Sequence, residues 1–144
     1  MHISAKGNYG IWALLDLAQR HGQGYVQTAE IAERQQIPES YLVQLLNQLR
    51  KAGLVRSVRG PKGGHALLKQ PEEITVGDIL DVLEGPVDLL GKSEGRSEDL
   101  RQSDVLREVW DDVRAAIEGV LQSVTLGDLC RRVEKQEQRI VYRI

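Results

Sequence analysis

The side chains best equipped for chemistry in this 144-residue chain are hydrogen-bonding amides and cations gathered between Ser40 and Lys69. Ser40, Gln44 and Asn47 share one face of a helix expected over about Pro38 to Ala52, with Leu42, Leu45, Leu46 and Leu49 opposite. Gln44 and Asn47 each present a donor beside an acceptor, the arrangement that pairs with an adenine edge in the DNA major groove, and Arg50 and Lys51 end the segment with groups suited to phosphate. A polar face alone is also what any solvated helix shows. The run Arg59-Gly60-Pro61-Lys62-Gly63-Gly64 is harder to explain as solvation. Missing side chains let a backbone approach a phosphate, and a projecting arginine suits a narrow minor groove.

Other chemistries fail on spacing. Gly91-Lys92-Ser93 resembles the end of a phosphate-binding loop, but Pro86 stands where that loop needs its first glycine, and the segment before it has helical rather than strand character. Gly91-Lys92-Ser93-Glu94-Gly95 also fits a nucleophile-elbow pattern, yet His2, His21 and His65 all precede it, against the required order. The histidines lack metal-ligand spacing. Cys130, the one cysteine, can neither form an intrachain disulfide nor build a metal site by itself, and is expected to be a buried structural residue. Catalytic and metal residues are therefore expected to be none.

The net charge of −2 hides an asymmetry. Residues 1–70 carry nine Lys/Arg against four acids, whereas residues 71–144 carry ten against seventeen. No acid lies between Ser40 and Pro71, where six of the nine N-terminal basic residues fall. That is the footprint a polyanion would select. Length allows one sizeable core, or a small domain plus an association element. The absence of a signal-peptide pattern or a long apolar run leads us to expect a soluble, cytoplasmic protein.

Around these residues the periodicity predicts a first helix from Ser4 to about Arg20, apolar on most sides and so buried, then a break at His21-Gly22-Gln23-Gly24. A short helix from Gln27 or Thr28 and a turn at Gln36-Ile37-Pro38 lead to the polar-faced helix. Leu54–Arg59 and His65–Lys69 read as two strands joined by the glycine-rich turn. Thr75–Asp78 starts another helix that ends at Glu84-Gly85-Pro86, and polar residues up to 103 are expected to form a mobile loop. A long helix from Asp104 to Gln122 carries Val105, Val109, Val113, Ala116 and Val120 on one stripe, with Leu106, Trp110, Ile117 and Leu121 beside it. Thr125–Leu129 reads as a short helix start, Arg139–Ile144 as an extended tail, and no internal repeat is evident.

Helix, short helix, turn, helix and hairpin form the winged helix-turn-helix order, and the residues that compose it resemble the Rrf-type winged-helix regulators, the bacterial family of IscR, NsrR and CymR. The matching stretches are Ser4–Gly10, Glu30–Glu33, Ile37–Leu42 and Ser57–His65, with the 104–129 region similar to the family's dimerisation helix and Thr-Leu-x-Asp-Leu segment. The resemblance implies a homodimer on an inverted repeat of double-stranded DNA, usually as a repressor. It places Ser40, Tyr41, Val43, Gln44 and Asn47 in the major groove and Arg59, Gly60, Pro61, Gly63, Gly64 and His65 in the wing. Ser4, Lys6, Thr28, Arg50, Lys51, Arg56, Ser57 and Lys62 face phosphates, and Val105, Val109, Trp110, Val113, Ile117 and Val120 form the dimer contact. Val43 departs from relatives that carry a glutamate there, so their base preference does not transfer. Members that bind iron-sulfur clusters place three cysteines in the loop before the long helix. Residues 85–103 have none, and Asn8 and Trp12 occupy the alternative first-helix positions. No cofactor is therefore expected.

The expected protein is mainly α with a small β-hairpin wing: a DNA-binding domain over 1–84, a loop at the family's sensor position over 85–103, and a dimerisation helix and tail over 104–144. Its expected function is sequence-specific transcription regulation and not enzymatic, with any small-molecule or protein effector left open. The alternative is a winged-helix adaptor that binds protein rather than DNA.

Overall fold

The structure is a computed structural model describing residues 2–89 and 100–143. Helix α1, Ala5–Gln19, opens where the Ser4 hydroxyl accepts the Gly7 N–H at 3.3 Å. It buries Ala13, Leu14, Leu17 and Ala18 among the elements that follow. Trp12, expected to be buried with them, is instead 50% exposed. Helix α2, Thr28–Gln35, ends at Gln36, whose left-handed φ of 54° reverses the chain into α3, Glu39–Lys51. Pro38 caps α3 rather than joining it. The four leucines of α3 are at most 1% exposed, and burial of such side chains, about 2 kcal/mol each, holds the helix's polar face outward.

Strands β1, Val55–Val58, and β2, Gly64–Leu67, are antiparallel, with Val55 opposite Leu67 and Val58 opposite Gly64. They differ from the expected Leu54–Arg59 and His65–Lys69: Leu54, Arg59, Leu68 and Lys69 lie outside the ladder, and Gly64 joins it opposite Val58. A 3-10 turn over Pro71–Glu73 precedes α4, Val76–Leu83, which packs Ile79, Leu80 and Leu83 inward. One core joins α1–α4, the base of the hairpin and Leu126.

Two helices complete the chain. Helix α5, Leu100–Ser123, begins earlier than expected, so residues 100–103 are helical rather than loop; residues 85–89 lie outside any helix or strand, and residues 90–99 of the expected loop lie outside the described residues. Helix α6, Leu126–Arg143, replaces both the short helix and the extended tail. Its start is a capping box in which the Thr125 and Asp128 backbone N–H groups exchange bonds with the opposite side chains, each 3.0 Å. The Thr125 N–H and Arg131 hold the Asp128 carboxyl below its ordinary range. Residues 134–139 are mostly good helix formers that carry the helix onward without apolar periodicity, and that gap in the pattern is why the residues beyond it read as a separate tail. Cys130 sits half-buried on α6 against the core, and burial pushes its thiol up.

Among the described residues one charged side chain lies inside. Asp16 on α1 is fully buried, yet its carboxylate accepts Arg20 Nη1 at 3.1 Å, Arg34 Nε and Nη2 at 3.0 and 2.9 Å, and Gln35 Nε2 at 3.1 Å. This joins α1 to the back of α2. The bond to Asp16 raises the Arg34 guanidinium further above neutrality.

Candidate nucleic-acid interface

Helices α2 and α3 meet through the turn at Gln36-Ile37-Pro38, and α3 holds Ser40, Val43, Gln44 and Asn47 exposed. Tyr41 is half-buried, its ring edge-to-face with Tyr9 at 5.8 Å, so it braces α3 on α1 as well as bordering the outward face. Arg50 Nη2 donates to Asn47 Oδ1 at 2.7 Å. Asn47 thus keeps both amide hydrogens free, and its oxygen retains a second lone pair, so the Arg50 bond can orient the amide while it pairs with a base.

The hairpin is tied to the start of α2 by contacts that sequence patterns did not indicate. Val26 and His65 exchange two backbone hydrogen bonds, 2.9 and 2.8 Å, a one-residue antiparallel bridge that ties the chain before α2 to β2. Gln27 Nε2 donates to the Gly63 carbonyl at 2.6 Å. His65 stands between two hydroxyls, with Nδ1 2.7 Å from Ser57 Oγ and Nε2 2.8 Å from Thr28 Oγ1. A neutral imidazole gives one bond and takes the other, so one hydroxyl hydrogen remains for a phosphate. The Gln27 amide was the missed signal; a lone glutamine before a helix has no pattern that reveals a partner 36 residues away.

Half-buried, His65 is kept neutral by desolvation, which lowers its pKa from 6.5. Because the folded value lies below the unfolded one, the stability it contributes is complete above pH 6.5 and declines as pH falls toward the depressed value. Wild type is therefore expected to lose more melting temperature between about pH 7.5 and about pH 5.5 than His65→Gln does, a comparison that thermal melts in one buffer series would settle.

Arg59, Gly60, Pro61 and Lys62 form the exposed tip, with Arg56 exposed on β1 and Lys51 at the end of α3. Among the described residues, none of the six basic side chains from Arg50 to Lys69 forms a salt bridge; the ion pairs involve Arg20, Arg34, Arg114 and Arg131. Lys6 is partly exposed at the start of α1. Ser4, placed at a phosphate by the resemblance, donates both its N–H and its hydroxyl to Glu84 Oε1 in this structure, which fixes α1 to the end of α4. The dimer set behaves differently from a core. Val105, Val109, Trp110, Val113 and Val120 are exposed on α5 and Ile117 is partly so.

A helix-turn-helix followed by a glycine-rich basic wing, with its outward positive groups unneutralised, defines a winged-helix DNA-binding transcription regulator rather than an enzyme. Known proteins agree. The Rrf2 family, described as an iron-dependent transcriptional regulator, matches residues 3–132, and the chain belongs to that family. It is 39% identical to the HTH-type transcriptional regulator CymR of Bacillus subtilis over the whole of both chains. It is 41% identical to the HTH-type transcriptional regulator IscR of Photobacterium profundum, covering 95% of this chain and 80% of that one. The solved structure of CymR, the global cysteine regulator of B. subtilis, superposes with a TM-score of 0.76 at 41% identity, covering 92% of this chain and 98% of that one. T. potens IscR gives 0.75 at 44%, covering 94% and 90%.

The described residues offer no ready ligand set for the iron named in that family's description. Among the described residues no three His, Cys, Asp or Glu side chains gather at a metal-sized site. Both ring nitrogens of His65 have hydroxyl partners, His21 Nε2 pairs with Gln70 at 3.1 Å, and the single thiol, Cys130, has no second cysteine to ligate beside it. Among the described residues no helix is long and apolar enough to cross a membrane.

Proposed function

We propose that the chain represses transcription as a cytoplasmic homodimer bound to an inverted-repeat operator, and does so without an iron-sulfur cluster. The observation that carries the DNA reading is the unpaired basic wing, anchored to the first turn of α2 through Val26, Gln27 and His65. Anchoring makes the two DNA-facing elements one body: α3 enters a major groove, and the tip delivers Arg59 to the neighbouring minor groove. Ser40, Gln44 and Asn47 read bases. Lys6, Arg50, Lys51, Arg56 and Lys62 neutralise phosphates, with Thr28 or Ser57 adding a hydroxyl.

The homodimer is supported by α5. Val105 and Val120, near its two ends, are 65% and 64% exposed, with Leu106, Val109, Trp110 and Val113 between them. A stripe of that length is costly in water and self-complementary across a two-fold axis. The lack of a cluster is supported by the one-cysteine composition and by the hydrogen-bond partners that occupy His21 and His65.

A random-sequence DNA selection with the full chain is expected to enrich an inverted repeat. In a gel-shift titration on that sequence, Arg59→Ala should weaken binding about tenfold and flatten the A·T preference beneath the wing. If no sequence is enriched the protein is an adaptor, and if Arg59→Ala binds like wild type the wing does not enter the groove.

A further inference from the structure

Residues 75–80 read Thr-Val-Gly-Asp-Ile-Leu and residues 125–130 read Thr-Leu-Gly-Asp-Leu-Cys. These are two copies of one short pattern, contrary to the expectation of no repeat, and the fold sets them face to face. Thr75 and Thr125 pair as an antiparallel bridge. The Val76 N–H donates to the Val124 carbonyl at 2.9 Å, and the Leu126 N–H donates to the Ile74 carbonyl at 2.8 Å, so the two bonds are mirror assignments. Each threonine caps its own helix by the same reciprocal pair of bonds with the aspartate three residues on, all four at 3.0 Å. The glycines match as well. A methyl on Gly77 would strike the Gln122 side chain and one on Gly127 the Glu72 side chain, each five residues before the opposite glycine. The Thr75 hydroxyl adds a bond to Gln122 Oε1 at 2.8 Å.

The position of this clasp gives it a consequence beyond capping. On one side α4 is packed into the core beneath α3; on the other, Val124 and Thr125 are the two-residue elbow between α5 and α6. A two-residue elbow by itself permits many arm directions. The paired bridge removes that freedom, with Ile74 and Leu126 both fully buried behind it.

We propose that the Thr75–Thr125 clasp sets the direction of the α5 arm relative to the DNA-reading domain, and thereby fixes the spacing between the two half-sites that the dimer accepts. Thr75, Gln122 and Thr125 are positioning residues: they touch no DNA. The spacing claim rests on the homodimer reading above, whereas the coupling of arm to domain does not.

Two independent caps would each stabilise only their own helix, and this separates the alternatives. In the full-length protein, Thr125→Val is expected to speed hydrogen exchange of the Val76 amide on α4 about fivefold to tenfold, and Thr75→Val to do the same at Leu126 on α6. Gln122→Ala, at an exposed residue outside the core, should act in the same direction without unfolding risk. In a selection from inverted repeats with varied spacers, the variants should keep the wild-type half-site but accept several spacers where wild type accepts one. Exchange effects confined to the mutated helix, or an unchanged spacer preference, would overturn the proposal. A wild type that enriches no inverted repeat removes the dimeric-operator reading and the spacing claim with it, and the exchange result still decides whether the two caps act as one.

Discussion

Gly64→Ala is expected to lower affinity for the selected operator about a hundredfold while leaving the helical core folded. Gly64 has φ +134°, a conformation that side-chain-bearing residues rarely adopt, and a Cβ there would lie 2.5 Å from the Val26 carbonyl oxygen and 2.6 Å from its carbon. Both obstacles are backbone, so no rotamer change relieves them. The start of β2 must retreat from Val26, breaking the pair of bonds between Val26 and His65 and pulling the Gln27 amide off Gly63. The tip carrying Arg59 and Lys62 then loses its fixed relation to α3, and a groove contact misplaced by about an ångström is largely lost. A gel-shift titration beside a circular-dichroism melt checks this. Affinity within a factor of two of wild type would mean that the wing is placed by the hairpin alone.

Asp16→Ala should cost about 3 kcal/mol of folding stability, since removing one member of a buried ionic group leaves the others without their partner. At this chain length that corresponds to a melting temperature lower by about 6–12 °C. The buried carboxylate organises three side chains from two helices, and the Arg34 guanidinium and Gln35 amide reach it only because α2 lies against α1. Arg20 and Arg34 are about one-third exposed and can turn to water, which keeps the cost below that of a wholly stranded charge. Arg34→Ala should therefore cost less, because the buried acid keeps Arg20 and Gln35. A melting temperature for Asp16→Ala within about 2 °C of wild type would show that packing alone holds α1 to α2.

The legible parts of this protein are those written in period and in residue type. Leucines at 3.6-residue spacing announce α3 and its outward face, and the run from Arg59 to Gly64 announces the wing, because helix burial and tight turns each restrict residue choice locally. The exposed stripe from Val105 to Val120 is equally clear, since an apolar surface without a cover within its own domain leaves a regular pattern. Other features have no local signature. The far half of α6 is illegible because a helix that projects from the core needs no apolar stripe. Ser4 reads as a phosphate donor, and only the fold brings up Glu84, 80 residues away, to hold it. Asp16 reads as one acid among many.

The sequence by itself therefore determined that there is a winged helix-turn-helix, which face of α3 is polar, and that the basic groups from Arg50 to Lys69 lack neighbouring acids. Each follows from interactions within a turn or a few residues of chain. Only the tertiary structure decided how the wing is held, through Val26, Gln27 and His65, and how the arm is held, through two distant copies of one short pattern. Those arrangements depend on single hydrogen bonds between backbone and side-chain atoms far apart in the chain, which geometry sets once the apolar core has brought the elements together.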